Sequence, residues 1–208
     1  WVEDYMEGRI KKHELTRADK ETDRVNHVDF LDANTGPIFL TYKARKGIND
    51  IVNKTMEGAP VYDFVTEDGI GNTVWVIDND ADVAAISQEF ADTNYLYIAD
   101  GHHRSAAAAL VGQEKKENNP AHKGTEEYNF FMTVIFPDNQ LNIIDYNRVV
   151  KDLNGLSKEE FLNALTESFD VEDMGTEIYK PAKLHEFSTY LDGHWYKLNA
   201  KPGTFNDA

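Results

Sequence analysis

YIADGHHRS, at residues 97–105, is the stretch that decides how this chain folds. It begins in an apolar, β-prone run at residues 95–98 and leads into an alanine-rich run at residues 105–111. These two runs predict a buried strand followed by a helix that can pack closely against a sheet. Glycine accepts the backbone conformation of a sharp turn, so we expect Gly101 to join the strand directly to the helix.

A helix that begins at such a turn is suited to binding an anion. The N–H groups of its first turn have no partner within the helix, and the helix dipole places partial positive charge at the same point. Arg104 adds a planar fork that matches two phosphate oxygens, and protonated imidazoles add further donors. We therefore interpret the turn as a phosphate-binding element, formed by Gly101, His102, His103, Arg104 and Ser105.

Asp100 precedes the glycine and is the candidate catalytic residue of the turn. Its carboxylate could orient a histidine, hold Mg²⁺ or accept a substrate hydroxyl. A plainer interpretation is that Asp100 caps the helix, that both histidines lie on the surface and that Arg104 pairs with a nearby acid. The concentration of binding residues between a buried strand and a helix favours the functional interpretation.

Two other segments carry candidate site residues. In KKHELTR, residues 11–17, Lys12 is a candidate phosphate contact, while His13 and Glu14 are candidate catalytic residues, Glu14 as a general base. An exposed charged strand explains the same residues. Arg148 follows a predicted strand and is a candidate phosphate contact, although an arginine in solvent fits the pattern too. Arg24 belongs to a charged segment, residues 17–34, that we interpret as a solvated face.

Composition limits the classes of partner. The chain has 208 residues, 41% of them hydrophobic, with a formal net charge of -16 at pH 7 and no cysteine. Its negative field would repel nucleic acid and anionic membrane surfaces, so neither is an expected partner. Local cations outweigh that field within a Debye length of ~8 Å, so a small-molecule substrate or nucleotide stays an expected partner. Without cysteine, disulfides, thiolate nucleophiles and cysteine-based metal sites are excluded.

The same data give expectations for organisation. The length predicts one compact domain over residues 1–208, and a homodimer is a candidate assembly. No apolar run approaches the ~20 residues of a membrane span, so we expect a cytoplasmic protein. The first eight residues, WVEDYMEG, are typical of a helix end with its glycine stop, and we expect the chain to be a piece of a longer one.

The order of the elements indicates an α+β fold, in which helices flank a mostly antiparallel mixed sheet. The predicted strands are residues 38–42, 61–65, 73–77, 95–98, 130–136, 141–144, 187–191 and 195–198, with a short one within residues 9–16. The predicted helices are residues 47–56, 105–111, a segment from Asp80 or Asp82 to Phe90, and a segment from a Ser157 cap to Phe169. Asp68-Gly69 and Asp192-Gly193 are expected to turn two hairpins, and residues 112–128 to form a mobile connection.

The chain resembles a known family at four places: residues 97–105, residues 10–17, Asp68-Gly69-Ile70 and Tyr146-Asn147-Arg148. Together these motifs are similar to the DUF1015 family of bacterial proteins, whose members are about twice as long as this chain. The Asp-Gly-His-x-Arg core of the turn also resembles the nucleotide-binding element of the ParB and sulfiredoxin superfamily, which includes free-serine kinases.

The second resemblance implies a function. In that superfamily such a turn holds nucleotide phosphates, and an acidic residue acts as a base toward the serine hydroxyl. It implies that residues 101–105 contact phosphate from ATP or ADP, with Asp100 near the transferring group or its Mg²⁺ and Glu14 as the candidate base. We therefore expect a small-molecule kinase. The alternatives are a metal-dependent hydrolase that uses Asp100 and His102, and a binding module that senses a nucleotide or a phosphorylated metabolite without turnover.

Overall fold

A computed structural model describes residues 1–206 of the chain. Its backbone is mixed helix and strand, which confirms the α+β class. Contacts within the chain group into two compact units, Trp1–Ile143 and Ile144–Ala208, and each is described separately. The expectation of one compact domain over residues 1–208 stays a prediction. Among residues 1–206, no helix combines the length and the apolar character needed to cross a bilayer.

A four-stranded mixed sheet forms the centre of the first unit. Its strands lie in the order β1 (Ile10–Lys11), β5 (Leu96–Asp100), β2 (Ile38–Tyr42) and β6 (Thr133–Pro137). β1 runs parallel to β5, β2 runs antiparallel to β5, and β6 runs parallel to β2. As a result, the chain segments that follow β1 and β5 leave the sheet side by side, at the carboxyl ends of these two strands.

The core of this unit lies between the sheet and two helices, α1 (Val2–Met6) and α5 (His102–Glu117). Alternation along β2 buries Ile38, Leu40 and Tyr42 and leaves the residues between them half-exposed, as the period of a strand requires. The buried cluster is formed by Val2, Tyr5, Ile10, Ile38, Leu40, Ile98, Ala106 and Ala109. Alanines supply the α5 side of the cluster, so the helix can approach the strands closely.

The helix α5 is longer than the predicted segment, residues 105–111. It begins at His102 and continues to Glu117, so the mobile connection predicted over residues 112–128 was wrong for its first part. Gly112 does not end the helix: its missing side chain makes room for the carbonyl oxygen of Tyr128, which lies 2.5 Å from where a Cβ would be. Beyond it, Gln113 donates to Glu117 one turn later and supports the exposed end.

The first unit also contains the predicted helices α3 (Lys46–Met56) and α4 (Asp80–Ala91) and the predicted antiparallel strands β3 (Tyr62–Val65) and β4 (Gly71–Val74), although β4 begins two residues before the predicted segment, residues 73–77, and ends three residues before its end. The charged segment over residues 17–34 forms a further helix, α2 (Ala18–Leu31). The cap of α4 is Asn79, whose side chain accepts hydrogen bonds from the N–H groups of Ala81 and Asp82. The predicted caps, Asp80 and Asp82, instead lie in the first turn, where acids favour the helix dipole.

The second unit contains a capped helix and a three-stranded antiparallel sheet. Ser157 and Glu160 form a capping box for α6 (Lys158–Leu165), which confirms the predicted cap. The sheet has the order β7 (Phe169–Gly175), β9 (His194–Ala200) and β8 (Glu186–Leu191), and it includes the predicted hairpin at Asp192-Gly193. The sequence missed β7, because Phe169 continued the apolar face of the helix before it.

The strand predicted over residues 141–144 is absent. After β6 the chain enters a single 3-10 turn, Asp138–Gln140, where Asp138 accepts hydrogen bonds from Lys43 Nζ and from the N–H of Ala44. These bonds hold Asp138 against the segment after β2, so the turn does not close a hairpin.

Candidate functional site

The predicted strand–glycine–helix turn is confirmed at the end of β5. Gly101 has φ 99° and ψ 30°, a left-handed conformation that side chains other than glycine rarely adopt, and α5 begins at the next residue. Ser105 is fully buried beneath the turn. Its N–H and its hydroxyl both donate to the carbonyl oxygen of Gly101, at 2.9 and 3.0 Å. The hydroxyl predicted to contact phosphate therefore holds the turn in shape.

The start of α5 has no capping side chain, because its cap residue is Gly101. The N–H groups of His102, His103 and Arg104 occupy the first turn, where helix geometry gives them no carbonyl partner within the helix. They point out of the helix at its positive end, which is the arrangement expected for anion binding.

Arg104 folds back over the turn. Its Nη2 lies 2.8 Å from Oδ2 of Asp100, a pair with spacing i, i+4 across the glycine. A Cβ on Gly101 would lie 3.0 Å from Nη2 and 3.1 Å from Nε of Arg104, so the guanidinium is in contact with the backbone of the turn. The side chains of Asp100 and Arg104 are 75% and 40% exposed, so solvent and ligands can reach both.

His102 points the other way, into the protein, and is 4% exposed. Its Nδ1 lies 3.7 Å from Oε2 of Glu14, and its ring meets that of His13 edge-on with 4.4 Å between centroids. Its Nε2 is buried with no hydrogen-bond partner among the described residues. Burial, and to a smaller extent His13, lower the pKa of His102 below its ordinary 6.5, while Glu14 and Asp100 partly oppose this. His102 is therefore neutral at neutral pH.

Parallel pairing explains how Glu14 reaches the turn. Ile10 is paired with Leu96 and Lys11 with Tyr97, so three residues later the chain after β1 lies beside the end of β5. A second contact joins the segment after β1 to the start of α5: the Nε2 of His103 accepts a hydrogen bond of 3.2 Å from the N–H of Arg17. The segments predicted separately as candidate sites thus come together.

These groups surround an open cavity of about 420 Å³, within the range of about 300–1,000 Å³ that is typical of small-ligand sites. Larger cavities lie elsewhere in the first unit, but this one brings the candidate residues together. Its lining is formed by Glu14, Arg24, Asp100, Gly101, His102, His103 and Arg104.

Arg24 is the lining residue that the sequence analysis missed. It belongs to α2, a helix with no buried residue. Because its neighbours in the sequence are also charged, the sequence pattern did not distinguish Arg24 from an ordinary surface residue. Its nearest acid is Asp23, with 3.7 Å between Nη2 and Oδ2. A signal was present in the sequence: residue 24 lies two helical turns after Arg17, which the KKHELTR segment already placed near the candidate base.

Lys12 is predicted to contact phosphate but is not among the residues that line this cavity. The Nζ of Lys12 lies 4.7 Å from the ring centroid of Tyr5. Arg148 belongs to the second unit, where its guanidinium carbon lies 4.4 Å from the ring centroid of Tyr146. The phosphate contacts expected of Lys12 and Arg148 stay predictions.

A comparison with protein-family models matches residues 1–208 to "Protein of unknown function (DUF1015)". The chain belongs to the DUF1015 family. No curated protein and no solved structure matches it. In the described part of this DUF1015 chain, no three His, Asp or Glu side chains lie in an arrangement that could hold a metal ion.

We expect Gly101→Ala to destabilise the DUF1015 chain by about 1–3 kcal/mol, because a side chain at this φ is strained and its Cβ would press on Arg104. Gly124→Ala is the matched control for backbone strain alone, since Gly124 has φ 86° with no atom within 4 Å of its Cβ position. Gly71→Ala, which has neither strain nor contact, should change stability by less than about 0.5 kcal/mol. Urea unfolding measures all three. Equal losses for the variants at 101 and 71 would contradict this account of the turn.

The lowered pKa of His102 makes stability depend on pH. The unfolded chain takes up a proton near pH 6.5 and the folded chain only at lower pH, so stability is complete above 6.5 and falls as pH decreases through that window. We expect His102→Gln to reduce the slope of the unfolding free energy between pH 7 and pH 5.5. His27→Gln, at an exposed position of α2, is the control variant. Identical slopes for all three proteins would show that His102 does not titrate as its burial requires.

Proposed function

We propose that this chain is a nucleotide-dependent phosphotransferase that acts on a small molecule with a serine-like hydroxyl. The observation that supports it most is the cavity at Gly101, where uncapped helix N–H groups and two guanidiniums face two carboxylates. Phosphoryl transfer depends mainly on positioning and on neutralising charge, and these groups can supply both. The resemblance of the turn to the ParB and sulfiredoxin superfamily points the same way and stays a prediction.

The donor phosphates would bind at the start of α5. The N–H groups of residues 102–104 would donate to the terminal phosphate oxygens, and Arg104 would turn from Asp100 to bind two of them at once. Arg24 lines the cavity from α2 and would also contact the phosphates. ATP and ADP both end in a phosphate joined to a second phosphate, so this arrangement would accept either as the donor.

Glu14 would act as the general base. Its carboxylate is 60% exposed at the cavity wall, and His102 Nδ1 lies on its inner side. The acceptor oxygen forms a bond to the terminal phosphorus, and the bond from phosphorus to the bridging oxygen breaks with its electron pair staying on the released nucleotide. The acceptor proton passes to Glu14. His102, neutral and buried, would lie against this carboxylate without adding positive charge beside it.

The exposed carboxylate of Asp100 also fits a role beside a magnesium ion. Mg²⁺ prefers oxygen ligands and keeps several of its waters, so one carboxylate together with phosphate oxygens is enough to hold it. When bound, the ion neutralises negative charge on the transferring group. A cytoplasmic location and a homodimer stay predictions beside this proposal.

We expect Arg104→Ala to weaken binding of ADP or ATP with Mg²⁺ by about ten- to 100-fold, because a charged hydrogen-bond donor to phosphate is lost. Isothermal titration calorimetry measures this. Arg9→Ala is the matched control: Arg9 pairs with Asp4 at 3.0 Å in the same unit and does not line this cavity. A chain that binds neither nucleotide at millimolar concentration contradicts the proposal.

Glu14→Gln should reduce phosphoryl transfer by about 10²–10⁴-fold and change nucleotide affinity little, because a general base acts only on the acceptor proton. Phosphorus NMR with serine and other hydroxylated acceptors would detect the product. Glu67→Gln, at an exposed position of the β3–β4 hairpin, is the control. Nucleotide binding without product from any acceptor would favour the binding module instead.

A further inference from the structure

A second cavity, of about 630 Å³, lies between α2, α5 and the segment before β6, and its volume is typical of a small-ligand site. Apolar and aromatic side chains form most of its wall, among them Val28, Ala108, Val111, Phe130, Phe131 and Met132. We infer that this second cavity binds the aromatic base of the nucleotide whose phosphates bind at Gly101. The inference rests on the proposed function and adds a base-binding subsite to it.

The same two helices line both cavities. On α2, Arg24 lines the cavity at Gly101, and Val28, four residues later, lines the second cavity. On α5, Arg104 and Ala108 are related in the same way. Residues four apart lie on one face of a helix, about 6 Å apart along its axis, so the two cavities adjoin along both helices. A ligand with its phosphates at Gly101 can therefore place its other end in the second cavity.

The wall of the second cavity suits a planar group without charge. Phe130 and Phe131 are half-buried there, and aromatic side chains bind bases by stacking. The cation of the lining, Lys115, is already paired with Asp32. The remaining charged residue of the lining, Glu127, is an exposed acid. This balance disfavours a second phosphate or a carboxylate and favours an uncharged aromatic ring.

Asn34 supplies a polar group that can orient the base. Its side chain is half-buried in the wall of the second cavity, and among residues 1–206 its amide makes no hydrogen bond. An amide both donates and accepts hydrogen bonds, and the edges of bases carry both kinds of group. A few polar groups set in an apolar wall are what fixes the orientation of a small ligand.

The acceptor has its place at the other end. Glu14, the proposed general base, lines the cavity at Gly101 but does not line the second cavity. The acceptor hydroxyl must lie within reach of this carboxylate, so it has to bind at the Gly101 end. The second cavity is then available to the donor nucleotide.

The test compares ADP with pyrophosphate, which has the same two phosphates but no nucleoside, by calorimetry on the full chain with Mg²⁺. We expect ADP to bind about ten- to 100-fold more tightly, the gain expected from stacking of a base on aromatic side chains. Ala33→Trp, at an exposed position of the lining, places a bulky side chain in the second cavity. It should reduce ADP affinity to about that of pyrophosphate and leave pyrophosphate affinity unchanged. Asn34→Leu should weaken ADP alone, by about three- to tenfold.

Ala44→Trp is the matched control. Ala44 is also an exposed loop residue, outside both cavities, so this change should leave both affinities unchanged. Equal affinities for ADP and pyrophosphate in the unmodified protein overturn the inference but leave the proposed function standing, and so does an ADP affinity that neither Ala33→Trp nor Asn34→Leu reduces. If Ala33→Trp weakens both ligands equally, it has disturbed the helix pair, and Asn34→Leu decides. Binding of neither ligand overturns both proposals.

Discussion

The left-handed conformation of Gly101 is the constraint on which the site depends. It lets the chain pass from β5 to α5 within one residue. Because the helix begins so abruptly, Asp100 and Arg104 are one helical turn apart and face the same opening. Ser105 then lies beneath the turn and donates twice to the Gly101 carbonyl. A longer connection would separate the carboxylate from the guanidinium and would leave the first helical N–H groups without a defined direction.

The sheet supplies the other wall of the cavity. Because β1 pairs in parallel with β5, the segment after Lys11 leaves the sheet at the same end as Asp100. Glu14 therefore lies beside His102. Buried alanines on α5 let the helix pack close to the strands, so the turn at the start of the helix also lies close to the sheet. The backbone, rather than a network of long side chains, therefore positions the groups of the candidate site.

Local signals made much of this predictable. A β-prone run, a glycine and an alanine run identify the strand, turn and helix, because propensity and backbone freedom act within a few residues. Non-local packing determined the rest. Arg24 lies on a helix with no buried residue, whose place beside the turn no local pattern reveals. Gly112 lies inside α5 because the carbonyl of Tyr128, 16 residues later, leaves no room for a side chain there. The burial of His102 likewise depends on His13, which arrives through strand pairing.

Acidic composition and the proposed anion site are compatible because the net charge and the local groups act over different distances. The charge of -16 is spread over the surface and screened by salt within about 8 Å. Inside the cavity, two guanidiniums offset two carboxylates, so the uncapped N–H groups of α5 contribute the remaining positive potential.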